Sequence, residues 1–198
     1  MVGGRVQPHA LACAHNSFSS PEHRCPVSAP STHYRIFRNC EREMVERSIS
    51  ILQASGFYWG PLSVGEAHAK LEMETLGSFL VRDSSQGNHL FSLSVKVAAG
   101  PVSVRIRFQE GYFWLMNHFS DCVVKLLELL VERTQDQPIC CENGVSLIFS
   151  KPLRRSRIPG LQELCRRSII AVHGRERIPQ LPLQPVLRKY VEEFPFKI

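Results

Sequence analysis

No apolar run in the sequence approaches the ~18–20 residues that cross a bilayer as a helix, so no membrane insertion is expected. The seven cysteines include no CxxC pair. Cys140 and Cys141 are adjacent, a spacing that suits neither a metal site nor an ordinary disulfide. No metal and no cofactor is therefore expected, and the thiols read as reduced in an intracellular protein. The N-terminus lacks the apolar core of a secretory signal, and the expected location is the cytoplasm, with the nucleus also open. Glycine and proline number 12 and 13 of 198 residues, close to ordinary usage, which excludes a collagen-like or wholly disordered chain. A cysteine-nucleophile enzyme would need a histidine near Cys140 or Cys141. None lies in that part of the chain and no oxyanion motif appears, so no catalytic residues are expected.

The charge is unevenly placed. The net charge is +6, yet residues 151–198 hold 11 of the 24 Lys and Arg and only 4 of the 18 Asp and Glu. That basic quarter also carries two strongly apolar helical faces. Such a combination points to protein contacts and away from nucleic acid.

Residues 1–31 are rich in proline and serine and lack periodicity, so they read as a disordered tail. An aromatic and basic patch, His33-Tyr34-Arg35-Ile36-Phe37-Arg38, stands within residues 32–40. Val45, Ser48, Ile49 and Leu52 then recur at helical spacing, with Glu43 four residues before Arg47. This predicts a helix over 41–54 that stops at Gly56. Ser63-Val64-Gly65-Glu66 reads as a capping box, followed by Ala67 and Leu71 on one face. Three strand patterns follow, at 78–82, 89–97 and 102–109. The second puts Phe91, Leu93, Val95 and Val97 opposite Ser92, Ser94 and Lys96. The third puts Val102, Val104, Ile106 and Phe108 opposite Ser103, Arg105, Arg107 and Gln109. Ala99-Gly100-Pro101 supplies a turn, so the two form an antiparallel hairpin whose polar faces lie side by side. Residues 112–115 suit a further strand. Asp121 is a candidate cap for a helix to about Arg133, with Val123, Leu126, Leu127 and Leu130 inward. One more short strand is expected within 145–149. The order is that of an α+β fold, an antiparallel sheet flanked by two helices.

Gly77-Ser78-Phe79-Leu80-Val81-Arg82-Asp83-Ser84-Ser85 is the most informative stretch. An arginine ending a Phe-Leu-Val run points into the protein, and a buried guanidinium needs an anion. Asp83 or another acid could supply it, or the site stands open for a ligand. Ser84 and Ser85 on the following loop, with Ser92 and Arg105 on the polar strand faces, favour a ligand. Hydroxyls, loop amides and two planar cations suit a phosphate dianion, and phosphotyrosine carries roughly −1.5 to −2 charges at neutral pH.

Trp59-Gly60-Pro61-Leu62-Ser63, the 77–84 run and Phe91-Ser92-Leu93-Ser94-Val95 resemble an SH2 domain over residues 58–151. The resemblance implies phosphotyrosine binding through Arg82, Ser84, Ser85, Ser92 and Arg105. Many SH2 domains place an arginine early in the first helix; here Val64 stands there.

The tail, residues 152–198, carries Leu161-Gln162-Glu163-Leu164-Cys165-Arg166-Arg167-Ser168-Ile169. Following an SH2 domain, this resembles the elongin C-binding helix of a SOCS box, which implies Leu161, Leu164, Cys165 and Ile169 as contacts for elongins B and C. Leu181-Pro182-Leu183-Gln184-Pro185 stands where that family carries its cullin contact, with one extra residue in the spacing. The resemblance thus marks Leu181, Pro182, Leu183 and Pro185. An SH2 domain followed by a SOCS box identifies the chain as resembling the suppressor of cytokine signalling family. Residues 33–38 resemble that family's kinase inhibitory region, with residues 41–57 as an extended SH2 helix. This implies a pseudosubstrate of Janus kinases built from His33, Tyr34, Arg35, Phe37 and Arg38. His33 takes the place of the acceptor tyrosine and Phe37 is the apolar anchor. The expected function is negative regulation of cytokine signalling, in which phosphotyrosine segments of receptors or kinases are bound and handed to a ubiquitin ligase. The alternative is an SH2 adaptor for ubiquitination without direct kinase inhibition.

Overall fold

The computed structural model describes residues 38–87, 89–141, 144–156 and 158–198. The expectations for residues 1–31 and for His33, Tyr34, Arg35 and Phe37 lie outside the described residues. Helix α1 spans Asn39–Ser55. Its first turn is closed by Glu41, whose Oε2 accepts from the Arg38 backbone N–H at 3.1 Å. Gly56, at φ +76°, ends it in the left-handed conformation that glycine adopts at little cost. Val45, Ser48 and Leu52 are buried along one face. The expected Glu43–Arg47 pair is absent among the described ion pairs. Arg42 and Glu46 pair instead at 2.8 Å, because each side chain has several solvent-side neighbours one turn away and such exposed pairs differ little in energy.

Helix α2 (Val64–Leu71) starts on the expected capping box: Ser63 Oγ accepts from Glu66 N at 3.2 Å, and Glu66 Oε2 accepts from Ser63 N at 3.0 Å. Strands β1 (Ser78–Asp83), β2 (Phe91–Val97), β3 (Gly100–Gln109), β4 (Tyr112–Leu115) and β5 (His118–Ser120) pair antiparallel in sequence order. Strand β8 (Lys151–Pro152) adds to the far edge, parallel to β1. The β2–β3 turn falls at Ala98-Ala99, one residue earlier than expected, because Gly100 and Pro101 pair with Val97 and Lys96 in the ladder. Strands β6 (Ile139–Cys140) and β7 (Ser146–Leu147) form a separate small ribbon.

Helix α3 (Val123–Thr134) is capped by Cys122, not by Asp121. Asp121 instead accepts from Ser120 Oγ at 3.0 Å and Lys125 Nζ at 3.2 Å. The Val123 N–H is satisfied by Ser48 Oγ of α1 at 3.2 Å. A hydroxyl from the neighbouring helix thus does what a local cap would do.

The main core lies on one face of the sheet. Phe79, Val81, Phe91, Leu93, Val95, Ile106, Phe108 and Phe113 pack there with Val123, Leu126, Leu127 and Leu130 of α3 and with Val45 and Leu52 of α1. Each such side chain contributes roughly 1.5–3 kcal/mol on burial. Helix α2 covers the other face, setting Ala67 and Leu71 on Leu80.

The C-terminal segment folds as α4 (Leu161–His173), a 3₁₀ turn at Arg175–Gln180 and α5 (Pro185–Glu193). It has a small cluster of its own in Ile170, Ile178 and Val191. Phe194 and Phe196 enter the main core. Glu128 of α3, 3% exposed, receives the Arg175 guanidinium and the Lys197 backbone N–H. The architecture is α+β, with helices before and after the sheet domain.

Candidate functional site

Strand alternation divides β1 between two environments. Phe79, Val81 and Asp83 turn to the main core, while Leu80 and Arg82 turn to the α2 side. Arg82 is 3% exposed. In register it stands opposite Ser92, and Ser92 stands opposite Arg105. One row across β1, β2 and β3 therefore holds three of the five expected phosphate contacts. Ser84 is buried just past the end of β1, and its Oγ accepts from the Gln86 N–H at 3.2 Å. Ser85 is exposed on the same loop and Arg105 is exposed on β3.

The Arg82 guanidinium is held without a carboxylate. Nη1 donates to the Asp83 backbone oxygen at 3.0 Å, and Nε donates to Ser94 Oγ at 3.4 Å. No described ion pair includes it. The Asp83 carboxylate faces the other way and accepts from the Tyr58 hydroxyl. That burial, reinforced by Asp83, pushes the Tyr58 hydroxyl's pKa up. Burial pushes the Arg82 guanidinium down from its ordinary value, opposed by the charge of Asp83. The planar fork keeps N–H groups on Nη1 and Nη2 for an anion, in a place where an anion offsets the cost of burying the cation.

Three residues near this row carry no role in the sequence reading. Ser94 and Ser103, opposite each other in the next row, approach to 2.8 Å between hydroxyl oxygens. His68 Nε2 of α2 lies 3.0 Å from Ser103 Oγ. Alternation alone puts Ser94 and Ser103 on the polar face. Only the register and the placement of α2 join them to His68. Val64, where an arginine is common in SH2 domains, is partly exposed at the start of α2.

The second candidate surface is on α4. Leu161, Leu164, Cys165 and Val172 are exposed, Leu161 by 77%. Ile169 is half-buried and packs on the small cluster of Ile170, Ile178 and Val191. The opposite face carries Glu163, Arg166 and Arg167. Arg166 lies over the rings of Tyr190 and Phe194, each at 4.9 Å, and Glu163 pairs with Arg167. Leu181 and Leu183 are half-buried, and their carbonyls accept from Arg188 Nη2 at 3.2 and 3.3 Å. Pro182 is exposed, and Pro185 opens α5, where its fixed φ suits a first turn. Arg38, the described member of the 33–38 patch, is exposed beside the start of α1.

A family model described as the SH2 domain matches residues 57–130, a span that contains Arg82, Ser84, Ser85, Ser92 and Arg105. The chain is 45% identical over 170 residues to suppressor of cytokine signaling 1 of Homo sapiens, covering 84% of this chain and 75% of that protein. It is 38% identical over 165 residues to suppressor of cytokine signaling 2 of Homo sapiens, covering 77% and 81%. It is 30% identical over 210 residues to cytokine-inducible SH2-containing protein of Gallus gallus, covering 92% and 81%.

Proposed function

The chain belongs to the suppressor of cytokine signalling family, and on that premise we propose that it is a non-enzymatic negative regulator of cytokine signalling acting through three surfaces. The SH2 domain docks on phosphotyrosine segments of cytokine receptors or kinases. Residues 33–38 occupy the substrate groove of a Janus kinase as a pseudosubstrate. The α4 stripe engages elongins B and C, and the 181–185 segment a cullin, so that the bound target is presented for ubiquitination. The observation that carries the first of these is the buried Arg82, whose fork is spent on no carboxylate and which shares one row with Ser92 and Arg105. The bare apolar stripe of α4 supports the third.

Calorimetric titration with a phosphotyrosine peptide and its unphosphorylated counterpart tests the docking site. Arg82→Lys keeps the charge and loses the fork, and it is expected to cost about 2 kcal/mol, some thirtyfold in affinity. Unchanged affinity in the variant would remove Arg82 from the site. Inhibition of an isolated Janus kinase domain, with and without Phe37→Ala, separates the pseudosubstrate from the adaptor reading. Substrate-competitive inhibition lost in the variant supports the first. An inert intact protein supports the second, and the α4 stripe is common to both readings.

A further inference from the structure

The row beneath the phosphate contacts contains a hydroxyl relay that ends on a titratable ring. Arg82 Nε donates to Ser94 Oγ at 3.4 Å, Ser94 Oγ lies 2.8 Å from Ser103 Oγ, and Ser103 Oγ lies 3.0 Å from His68 Nε2. We propose that His68 is a positioning residue of the phosphate pocket: through Ser103 and Ser94 it sets whether a hydroxyl hydrogen points away from a bound phosphate or toward it. The proposal deepens the phosphotyrosine reading of Arg82 and rests on it.

Each serine has one hydrogen to give and two lone pairs. A neutral imidazole can accept at Nε2. Ser103 then donates to His68, Ser94 donates to Ser103, and both hydrogens run away from Arg82. An imidazolium has no acceptor, so Nε2 must donate to Ser103. The Ser103 hydrogen is then free to turn to Ser94, whose oxygen is filled by Ser103 and by Arg82 Nε. The Ser94 hydrogen is left over, beside the Arg82 guanidinium, where an anion is expected. A neutral ring can adopt either direction, according to its tautomer. The protonated ring excludes donation from Ser103 to His68 and so frees the Ser103 hydrogen for Ser94.

The surroundings couple this switch to the ligand. On the α2 side of the sheet, β1 contributes Arg82, β2 contributes Lys96, and β3 contributes Arg105 and, further along, Arg107. Lys96 is paired to Glu72 of α2 at 3.2 Å, and Lys70 of α2 lies over the Trp59 ring. Arg82 and Arg105 make this row positive while the pocket is empty. A bound phosphate dianion reverses the local field. Phosphate binding is therefore coupled to proton uptake at His68, and the complex is tighter when the ring is charged. Val64, where many SH2 domains have an arginine, leaves His68 as the α2 side chain that can supply charge to this row.

The test uses the full chain and N-acetyl phosphotyrosine amide as probe, with affinity read by phosphorus NMR between about pH 5.5 and pH 8, the range in which histidine titrates. The probe's own second ionisation falls in the same range, so the readout is the ratio of wild-type to variant affinity at each pH. Relative to His68→Gln, the wild type is expected to gain about fivefold on going to the acid end, the net worth of one ordinary hydrogen bond. Ser103→Ala, at an exposed position, is expected to abolish the same gain. Identical pH profiles for wild type and His68→Gln would overturn the proposal and leave the phosphotyrosine reading intact. A gain lost in His68→Gln but kept in Ser103→Ala would overturn the relay and leave a through-space charge. Absence of probe binding at every pH, with Arg82→Lys no different, would overturn the pocket itself.

Discussion

Glu128→Ala is the sharpest test of how the C-terminal segment is held. Glu128 sits on α3 and is 3% exposed. Its carboxylate accepts from the Arg175 guanidinium and from the Lys197 backbone N–H, the latter at 2.6 Å. Arg175 also lies over the Phe196 ring at 5.3 Å. Truncating the acid removes both bonds and leaves a cation facing a gap. Breaking a fully buried pair from one side costs about 3–5 kcal/mol. The Arg175 side chain is 32% exposed, so water recovers part of that, and about 2–3 kcal/mol is the expected loss. For a chain of this size that corresponds to roughly 5–10 °C in Tm. Glu128→Gln keeps the side-chain volume and an acceptor for Lys197 N but gives up the ion pair, and should fall between wild type and alanine. Urea unfolding and thermal melts of the full chain supply the numbers. Carboxypeptidase digestion supplies the location, because release of Phe194 and Phe196 exposes the terminus. A loss below about 0.5 kcal/mol for Glu128→Ala, the range of ordinary surface changes, would refute the reasoning.

Gly77→Ala places a Cβ 2.8 Å from Ser150 Oγ and 3.0 Å from Ser150 N at a residue with φ +79°, so the turn and the neighbouring chain must both shift. A loss of about 2–4 kcal/mol in urea unfolding is expected, and a neutral result would mean the 150 segment yields freely. Tyr58 titrates above its ordinary value of about 10 in the folded state, through burial and Asp83. Its contribution is therefore complete below that pH and is lost as pH rises past it. Tyr58→Phe should cost about 1 kcal/mol at neutral pH and flatten the alkaline fall in stability; parallel stability curves above about pH 10 would exclude Tyr58 as the titrating group. Arg154 is pushed down to about 10 by burial and by Arg167, its Nη1 has no hydrogen-bond partner among the described residues, and its Nε lies 3.8 Å from the Glu163 carboxylate. Replacing a poorly paired buried cation by an apolar chain of similar length is often stabilising, so Arg154→Met should gain about 0.5–1 kcal/mol, and a loss beyond about 1 kcal/mol would show that its stacking on Phe57 matters more.

Faces were more legible than partners. The period of two in Phe91-Ser92-Leu93-Ser94-Val95 assigns each side chain to a side of the sheet without further information, because any other assignment takes three apolar chains off the main core, although the two serines are buried as well. Register was not available at the same level. It depends on where the turn falls, and Gly100 and Pro101 enter the ladder where they look like turn residues. The row Arg82–Ser92–Arg105 survives that shift as an expectation of nearness, but the contact between Ser94 and Ser103 needs the true register. His68 joins them across 35 positions of sequence, through the packing of Ala67 and Leu71 on Leu80. No local pattern announces that. Asp121 shows the converse. It has the residue type of a cap but stands one residue before the N-cap, Cys122, while Ser48, 75 residues from Val123, presents its hydroxyl to the Val123 N–H, and a tertiary donor–acceptor match takes the place of the local one. The fate of Phe194 and Phe196 was equally hidden, since an apolar stripe says that something will cover it and not what.

Helix α4 has its polarity inverted, and this bears on the ligase reading. A surface helix ordinarily turns charge to water and apolar groups inward. Here Glu163, Arg166, Arg167 and Ile170 face the protein, where Glu163 meets Arg154 and Arg167, and Arg166 covers Tyr190 and Phe194. Leu161, Leu164, Cys165 and Val172 face out. Both halves are costly in a free chain. The inward arginines leave the Nε atoms of Arg166 and Arg167 buried without partners among the described residues, and the outward side chains forgo the burial that most helices use for stability. The arrangement becomes favourable when another protein covers the outer face, because those side chains then contribute their burial to the complex and the inward charges need not move. A helix docked by its charged face has little freedom to turn its apolar face inward. On the proposed reading such a helix would meet its partner without rearranging, and α3, Glu128 and Arg175 would set where a target on the sheet stands relative to that partner. That fixed relation is what an adaptor between a phosphotyrosine target and a ligase needs.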